Sequence, residues 1–144
     1  MSRNRKSSHT ITRLTVHLVW VTKYRYKVLE GEVQKRCREL IRQDWASKNI
    51  QILKGVVGKE HVHMHIEYPP KESISGIMKQ FKGRTSRKLQ DEFKYLKKRY
   101  WGQRFWSSGY GGWSTGNVTE EMVQKYIENH ERNSNYDDSN FLLE

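Results

Sequence analysis

Residues 60–68 read Glu-His-Val-His-Met-His-Ile-Glu-Tyr. Three of the chain's six histidines, His61, His63 and His65, stand here at every second place. A period of two is the side-chain period of a β-strand. On such a strand the three imidazoles share one face, while Val62, Met64 and Ile66 share the other, the buried one. Neutral imidazole is a common metal ligand, so a face of neighbouring imidazoles suits a divalent cation. The same spacing fits an exposed polar face on which histidine is an ordinary residue. The segment by itself supports both readings.

Working outward, Gly58-Lys59 is a turn signal that joins this strand to an apolar stretch over 50–57, so the two form a hairpin. Pro69-Pro70 ends the histidine strand. Ser73 is a candidate cap for a helix in which Ile74, Ile77, Met78 and Phe81 repeat at helical spacing. Gly83 interrupts that helix at a cost of about 1 kcal/mol relative to alanine. It serves either a close backbone approach or no purpose at all. Upstream, residues 10–22 are β-branched and apolar, a central strand. Val33, Cys37, Leu40, Ile41 and Trp45 mark a helix over 32–48, with Cys37 in the core. Downstream, 104–116 is strand material broken by glycines. Asn117 or Thr119 caps a last helix over 118–132, with Glu120 and Glu121 in its first turn. Residues 1–9 read as a loose basic arm and 133–144 as an acidic tail, all within one domain over 1–144.

The order is strand, helix, strand, strand, helix, strand, helix. Its first six elements match an α+β fold, a ferredoxin-like (RRM-like) split βαβ sandwich with an antiparallel sheet. That fold hosts many functions, so the function must be argued from the site.

No apolar run has membrane-spanning length, and no signal-type segment follows the first residues. A single cysteine excludes an internal disulfide and a thiolate zinc cluster. These features predict a soluble, cytoplasmic protein. The net charge is +11. Residues 119–144 hold two basic residues, Lys125 and Arg132, against seven acids, a net of −5, which leaves +16 on residues 1–118. A body that basic predicts a polyanionic partner, most simply nucleic acid. Tyr100, Trp101, Phe105, Trp106, Tyr110 and Trp113 crowd together between basic residues. Such a mixture stacks unpaired bases in some proteins and forms core packing in others. On the last helix Tyr126 and His130 are four residues apart, so both fall on one side, among Val118, Met122, Val123 and Ile127. A fourth imidazole there is placed to complete a metal site with the histidine strand.

The pair His61-Val62-His63, preceded by Gly58-Lys59-Glu60 and followed by Pro69-Pro70, resembles the histidine–hydrophobe–histidine motif of the single-tyrosine transposases of small insertion sequences. Residues 17–25, His-Leu-Val-Trp-Val-Thr-Lys-Tyr-Arg, are similar to the first strand and loop of that family. Residues 78–89 resemble its second helix. Trp101-Gly102, Phe105-Trp106 and Gly109-Tyr110 resemble the segment before its last helix, and Lys125-Tyr126-Ile127 its nucleophile helix. The resemblance spans roughly 12–132. It implies an enzyme that cuts and rejoins single-stranded DNA at hairpin-bearing ends of a mobile element, through a 5′-phosphotyrosine. It implies Tyr126 as nucleophile, His61 and His63 as ligands of a divalent metal, and His130 in the place of a third ligand that is usually glutamine. Three imidazoles favour manganese, nickel or zinc over magnesium. His65, one step further along the ligand face, is expected as a bystander or a support to the ligands. Lys23, Arg25, Lys79, Lys82, Arg84, Arg87 and Lys88 are the expected DNA contacts. The family works as homodimers in which one subunit's tyrosine helix can serve the other's histidines, on DNA of the bacterial or archaeal nucleoid. The competing reading on the same fold is a domesticated, non-catalytic protein that binds single strands or hairpins.

Overall fold

The structure is a computed structural model. It describes residues 5–7, 10–12, 14–114 and 117–135, with side chains over 14–114 and 117–129. The elements are β1 (Arg5–Ser7), β2 (Thr10–Thr12), β3 (Leu14–Val21), α1 (Gly31–Ser47), β4 (Gln51–Val57), β5 (His61–Tyr68), α2 (Ile74–Glu92), α3 (Lys94–Arg99), β6 (Gly111–Trp113) and α4 (Glu120–Asn135). A one-turn 3-10 helix, Lys23–Arg25, follows β3.

Four strands form an antiparallel sheet in the order β4-β5-β3-β6, with α1 and α2 as crossovers on one face. This is the predicted split βαβ arrangement. Strand alternation sorts the side chains. Val16, Leu18 and Trp20 of β3 lie opposite Ile66, Met64 and Val62 of β5, and these six meet the apolar stripes of α1 and α2 in the main core. Trp20 is its centre. The ring lies 5.4 Å from Phe81 and 6.1 Å from both Trp45 and Trp106. The buried indole of Trp106 donates to Thr85 Oγ1 at 2.8 Å, which satisfies a donor that would otherwise be stranded. Cys37 is buried in the same core, as predicted.

The caps match their signals. Ser73 Oγ accepts from the Gly76 amide at 3.1 Å, and Thr119 Oγ1 accepts from the Met122 amide at 3.2 Å. Three features depart from the sequence reading. The strand expected over 10–22 is two pieces, and Arg5–Ser7, within the stretch read as an arm, pairs with Thr10–Thr12. The chain kinks at Phe93 and restarts as α3, which is too short to show a period. Among the described residues, the strand expected within 104–116 is only Gly111–Trp113, because its glycines give a sheet little to pack. The tail beyond Asn135 lies outside the described residues.

Gly83 resolves simply. A β-carbon added there meets nothing within 4 Å. No close approach requires it, so Gly83→Ala should stabilise the protein by about 0.5–1 kcal/mol. The measurement is the guanidinium midpoint, which should rise with an unchanged slope.

Candidate active site

The second face of the sheet carries the odd-numbered residues of both central strands. His17, Val19 and Val21 of β3 lie opposite His65, His63 and His61 of β5. Val19 and Val21 make a second, smaller core with Val123 and Ile127 of α4, and Trp113, Val118 and Tyr126 pack against it. The tyrosine helix therefore lies on the histidine face. Register refines this. Val19 faces His63 on one side and Gly111 on the other, so the three stand in one row across the sheet. The Tyr126 ring rests over Gly111. A β-carbon at Gly111 would come within 3.0 Å of Tyr126 Cδ1 and 2.9 Å of the Trp113 ring. Trp113 meets Tyr126 edge-on at 6.2 Å between centroids. Two strand spacings, about 10 Å, separate the Gly111 and His63 backbones.

The imidazoles form a connected group. His61 Nδ1 donates to Glu60 Oε1 at 2.8 Å. This bond leaves the Nε2 lone pair of His61 available to a cation, the usual way a carboxylate orients a ligating histidine. The ring also packs over Gly58, where a β-carbon would stand 2.7 Å from it. Burial alone would raise the Glu60 carboxyl. The hydrogen bonds from His61 and the backbone, with Arg25 nearby, outweigh it and hold the group below its ordinary range.

His17 was not among the sequence candidates, yet it completes the cluster. Its ring stacks on His65 at 3.9 Å and 8°. Its Nδ1 is hydrogen-bonded to His63 Nε2 at 3.3 Å. Burial first, then neighbouring imidazoles, lowers the pKa of both His17 and His63. Both are neutral at neutral pH, and His63 keeps a free lone pair, on Nδ1, in the tautomer whose Nε2–H donates to His17 Nδ1. His17 Nε2 is buried and unpartnered. A neutral His63 and a His61 ring aimed by Glu60 fit a divalent cation at this pair. Among the described residues no three His, Cys, Asp or Glu side chains converge on one ion position. The side chain of His130 lies outside the described residues. Glu67 shares the histidine face and is fully buried.

The expected DNA contacts divide. Lys79 and Arg87 of α2 are exposed and Lys88 is half-buried. Lys82 turns inward instead and donates to the carbonyls of Ser107, at 2.9 Å, and Gly109. Burial, with Arg104 nearby, pulls its ammonium down to about 8. Arg84 pairs with Asp44 of α1 at 2.6 Å. Lys23 and Arg25 sit in the 3-10 turn at the His61 end of β3. Lys97 and Arg104, absent from the sequence candidates, join Lys79 and Arg87 around a cleft of about 810 Å³ between α2 and the 102–109 segment.

Residues 10–130 match the family described as IS200-like transposases. The chain belongs to that family. It is 30% identical over 124 residues to the ISDra2 transposase TnpA of Deinococcus radiodurans, covering 86% of this chain and 89% of that protein. It is 33% identical over 127 residues to the transposase for insertion sequence element IS200 of Salmonella typhimurium, covering 88% and 83%. A crystal structure of a putative transposase from Deinococcus radiodurans superposes with a TM-score of 0.80 at 28% identity, over 88% of this chain and 97% of that one. A REP-associated tyrosine transposase, solved bound to a REP hairpin, shares the fold with a TM-score of 0.55 at 17% identity, over 90% and 68%. The chain is thus a transposase of the IS200 type, of a family that cleaves and transfers DNA strands. No helix among the described residues is long and apolar enough to cross a membrane.

Burial raises the Tyr126 phenol to about 12. The unfolded phenol ionises near 10. This group's contribution to stability is full below pH 10 and is lost as pH rises toward 12. Wild type should lose more stability between pH 10 and 11.5 than Tyr126→Phe, measured by guanidinium unfolding. Parallel pH curves would mean that the phenol is open to water.

Proposed function

We propose that this transposase cuts and rejoins single-stranded DNA at hairpin-bearing ends of a mobile element, with Tyr126 as the nucleophile. The observation that carries the reading is the shared sheet face, which holds the Tyr126 helix and the histidine pair, with Gly111 under Tyr126 and His63 in one row through Val19. His61 and His63, with His130 as the third donor, would hold a divalent metal. When bound, that metal polarises a phosphate oxygen and offsets the charge that builds there. Glu60 aims the His61 ring, and burial keeps His63 neutral for the same task.

In the reaction the Tyr126 oxygen forms a bond to phosphorus and the bond from phosphorus to the 3′ oxygen breaks. The phenol gives up its proton as the bond forms, and the departing 3′ oxygen takes one up. A phenol held protonated by burial is a weak nucleophile, so the scissile phosphate must be held in line. Lys79, Arg87 and Lys88, with Lys23 and Arg25, supply phosphate contacts, and Lys82 and Arg84 support the scaffold of the DNA face. The phosphotyrosine conserves the energy of the phosphodiester, so a second 3′-OH reverses the step without a nucleotide cofactor. The hairpin bound to the REP-associated neighbour is the form of DNA we assign to this chain. We further assign a homodimer, supported by the outer edge of β4, where Leu53 and Val56 are exposed. Its place of action is the cytoplasm, on nucleoid DNA.

A labelled single-stranded hairpin, incubated with manganese or EDTA and run on a denaturing protein gel, tests the reading. Wild type should form a metal-dependent covalent adduct that Tyr126→Phe lacks. Glu60→Gln should lower the apparent metal affinity roughly 10–100-fold, since it loosens only the ligand's support. Hairpin binding without an adduct would leave the non-catalytic binding protein as the function.

A further inference from the structure

Two surface aromatics stand where the backbone opposes them. Tyr24 is 63% exposed and Trp101 is 85% exposed. Both hold left-handed backbone, with φ 62° and 57°. Glycine adopts that conformation freely, and a residue with a side chain does so at a cost. At Trp101 the geometry is a Schellman helix end. The Gly102 amide donates to Lys97 O at 2.8 Å and the Trp101 amide to Lys98 O at 3.2 Å. Glycine is the usual residue at that position. This chain instead has its bulkiest side chain there, turned into solvent. Strain of this kind collects at functional sites.

Tyr24 is held as firmly. The Lys23 amide donates to Phe105 O at 2.8 Å, and the Arg25 amide to Thr22 O at 3.0 Å. The Tyr24 ring leans on Tyr26 at 5.3 Å, and the Arg99 guanidinium covers Tyr26 at 3.9 Å. Lys23 Nζ lies 5.2 Å from the Tyr24 centroid. Tyr24 and Trp101, with Lys23, Tyr100, Gln103 and Arg104, line one pocket of about 570 Å³. Rigid exposed rings between cations are the means by which proteins hold unpaired bases, stacked on the rings with phosphates on the cations. The pocket opens at the His61 end of the sheet. Val21 faces His61, the Thr22 amide donates to Glu60 O at 2.9 Å, and Lys23 follows.

We infer that this pocket captures an unpaired nucleobase of single-stranded DNA near the scissile position, stacked on Tyr24 and Trp101 with Lys23 and Arg104 on the flanking phosphates. The inference rests on single-stranded DNA being the substrate and is independent of the tyrosine chemistry.

The test is the binding of a short labelled single strand in EDTA, read by anisotropy, with the same strand carrying an abasic residue at each position in turn. Trp101→Gly should weaken binding roughly tenfold or more, while its melting temperature stays level or rises. Trp101→Phe should keep most of the affinity, and Tyr24→Ala should lose it. One or two abasic positions should weaken wild-type binding to the same degree and have no further effect in Trp101→Gly. Equal binding by wild type and Trp101→Gly would overturn the inference. So would indifference to every abasic position, a fall in the Trp101→Gly melting temperature, or no measurable single-strand binding. Base-dependent binding in a protein that forms no covalent adduct would keep the pocket and remove the proposed reaction. An adduct formed without base dependence would do the reverse.

Discussion

The register of β3 against β5 is the constraint on which everything else depends. Eight residue pairs run from Leu14↔Tyr68 to Val21↔His61. In this register Leu18, Trp20, Val62 and Met64 face α1 and α2, and His17, His61, His63 and His65 face α4. A slip of one residue in either strand would turn its side chains to the opposite face. Imidazoles would then enter the main core without partners, at the cost of burying unsatisfied polar groups. One set of ladder hydrogen bonds therefore sets the core and the candidate active site together.

The same register governs how α4 docks. The helix needs an apolar seat on an otherwise polar face, and Val19 and Val21 provide it for Val123 and Ile127. That seat is small, so the exact fit beside it matters. Gly111 leaves the gap that the Tyr126 ring occupies. The chemistry of the face follows from partial burial. His17 and His63 are kept neutral, Tyr126 is kept protonated, and Glu60 is kept ionised by its bond with His61. A neutral imidazole and a carboxylate that orients its neighbour are forms suited to a divalent cation. The attraction for a polyanion comes from elsewhere, from the exposed basic side chains of α2 and the turns beside it.

Much of this was legible in the residues. The alternation over 61–68 marked the strand and sorted its faces. Ser73 and Thr119 marked helix starts through their caps, and Val33, Cys37, Leu40, Ile41 and Trp45 marked a buried stripe. The family motifs pointed to the insertion-sequence transposases, the family to which the chain belongs. Other assignments were out of reach. His17 is a lone histidine in an apolar run, and only pairing with β5 brings it against His63 and His65. Lys82 and Arg84 sit on a helix face that reads as solvent, but the carbonyls of Ser107 and Gly109 and the carboxylate of Asp44 arrive from distant parts of the chain. Trp101 stood among aromatics that are mostly core, and its exposure follows from the turn that ends α3.

The division has one physical cause. Periodicity, caps and breakers act over a few residues, so the amino-acid sequence alone settles which segments are strands or helices and which side of each is apolar. Which of those sides meet is settled by strand order, register and the docking of α4, through hydrogen bonds and packing between residues far apart in the chain. The histidine strand and the tyrosine helix are each visible as local patterns. That they lie on one face, aligned through Val19 and with His17 drawn in beside them, is a property of the assembled sheet.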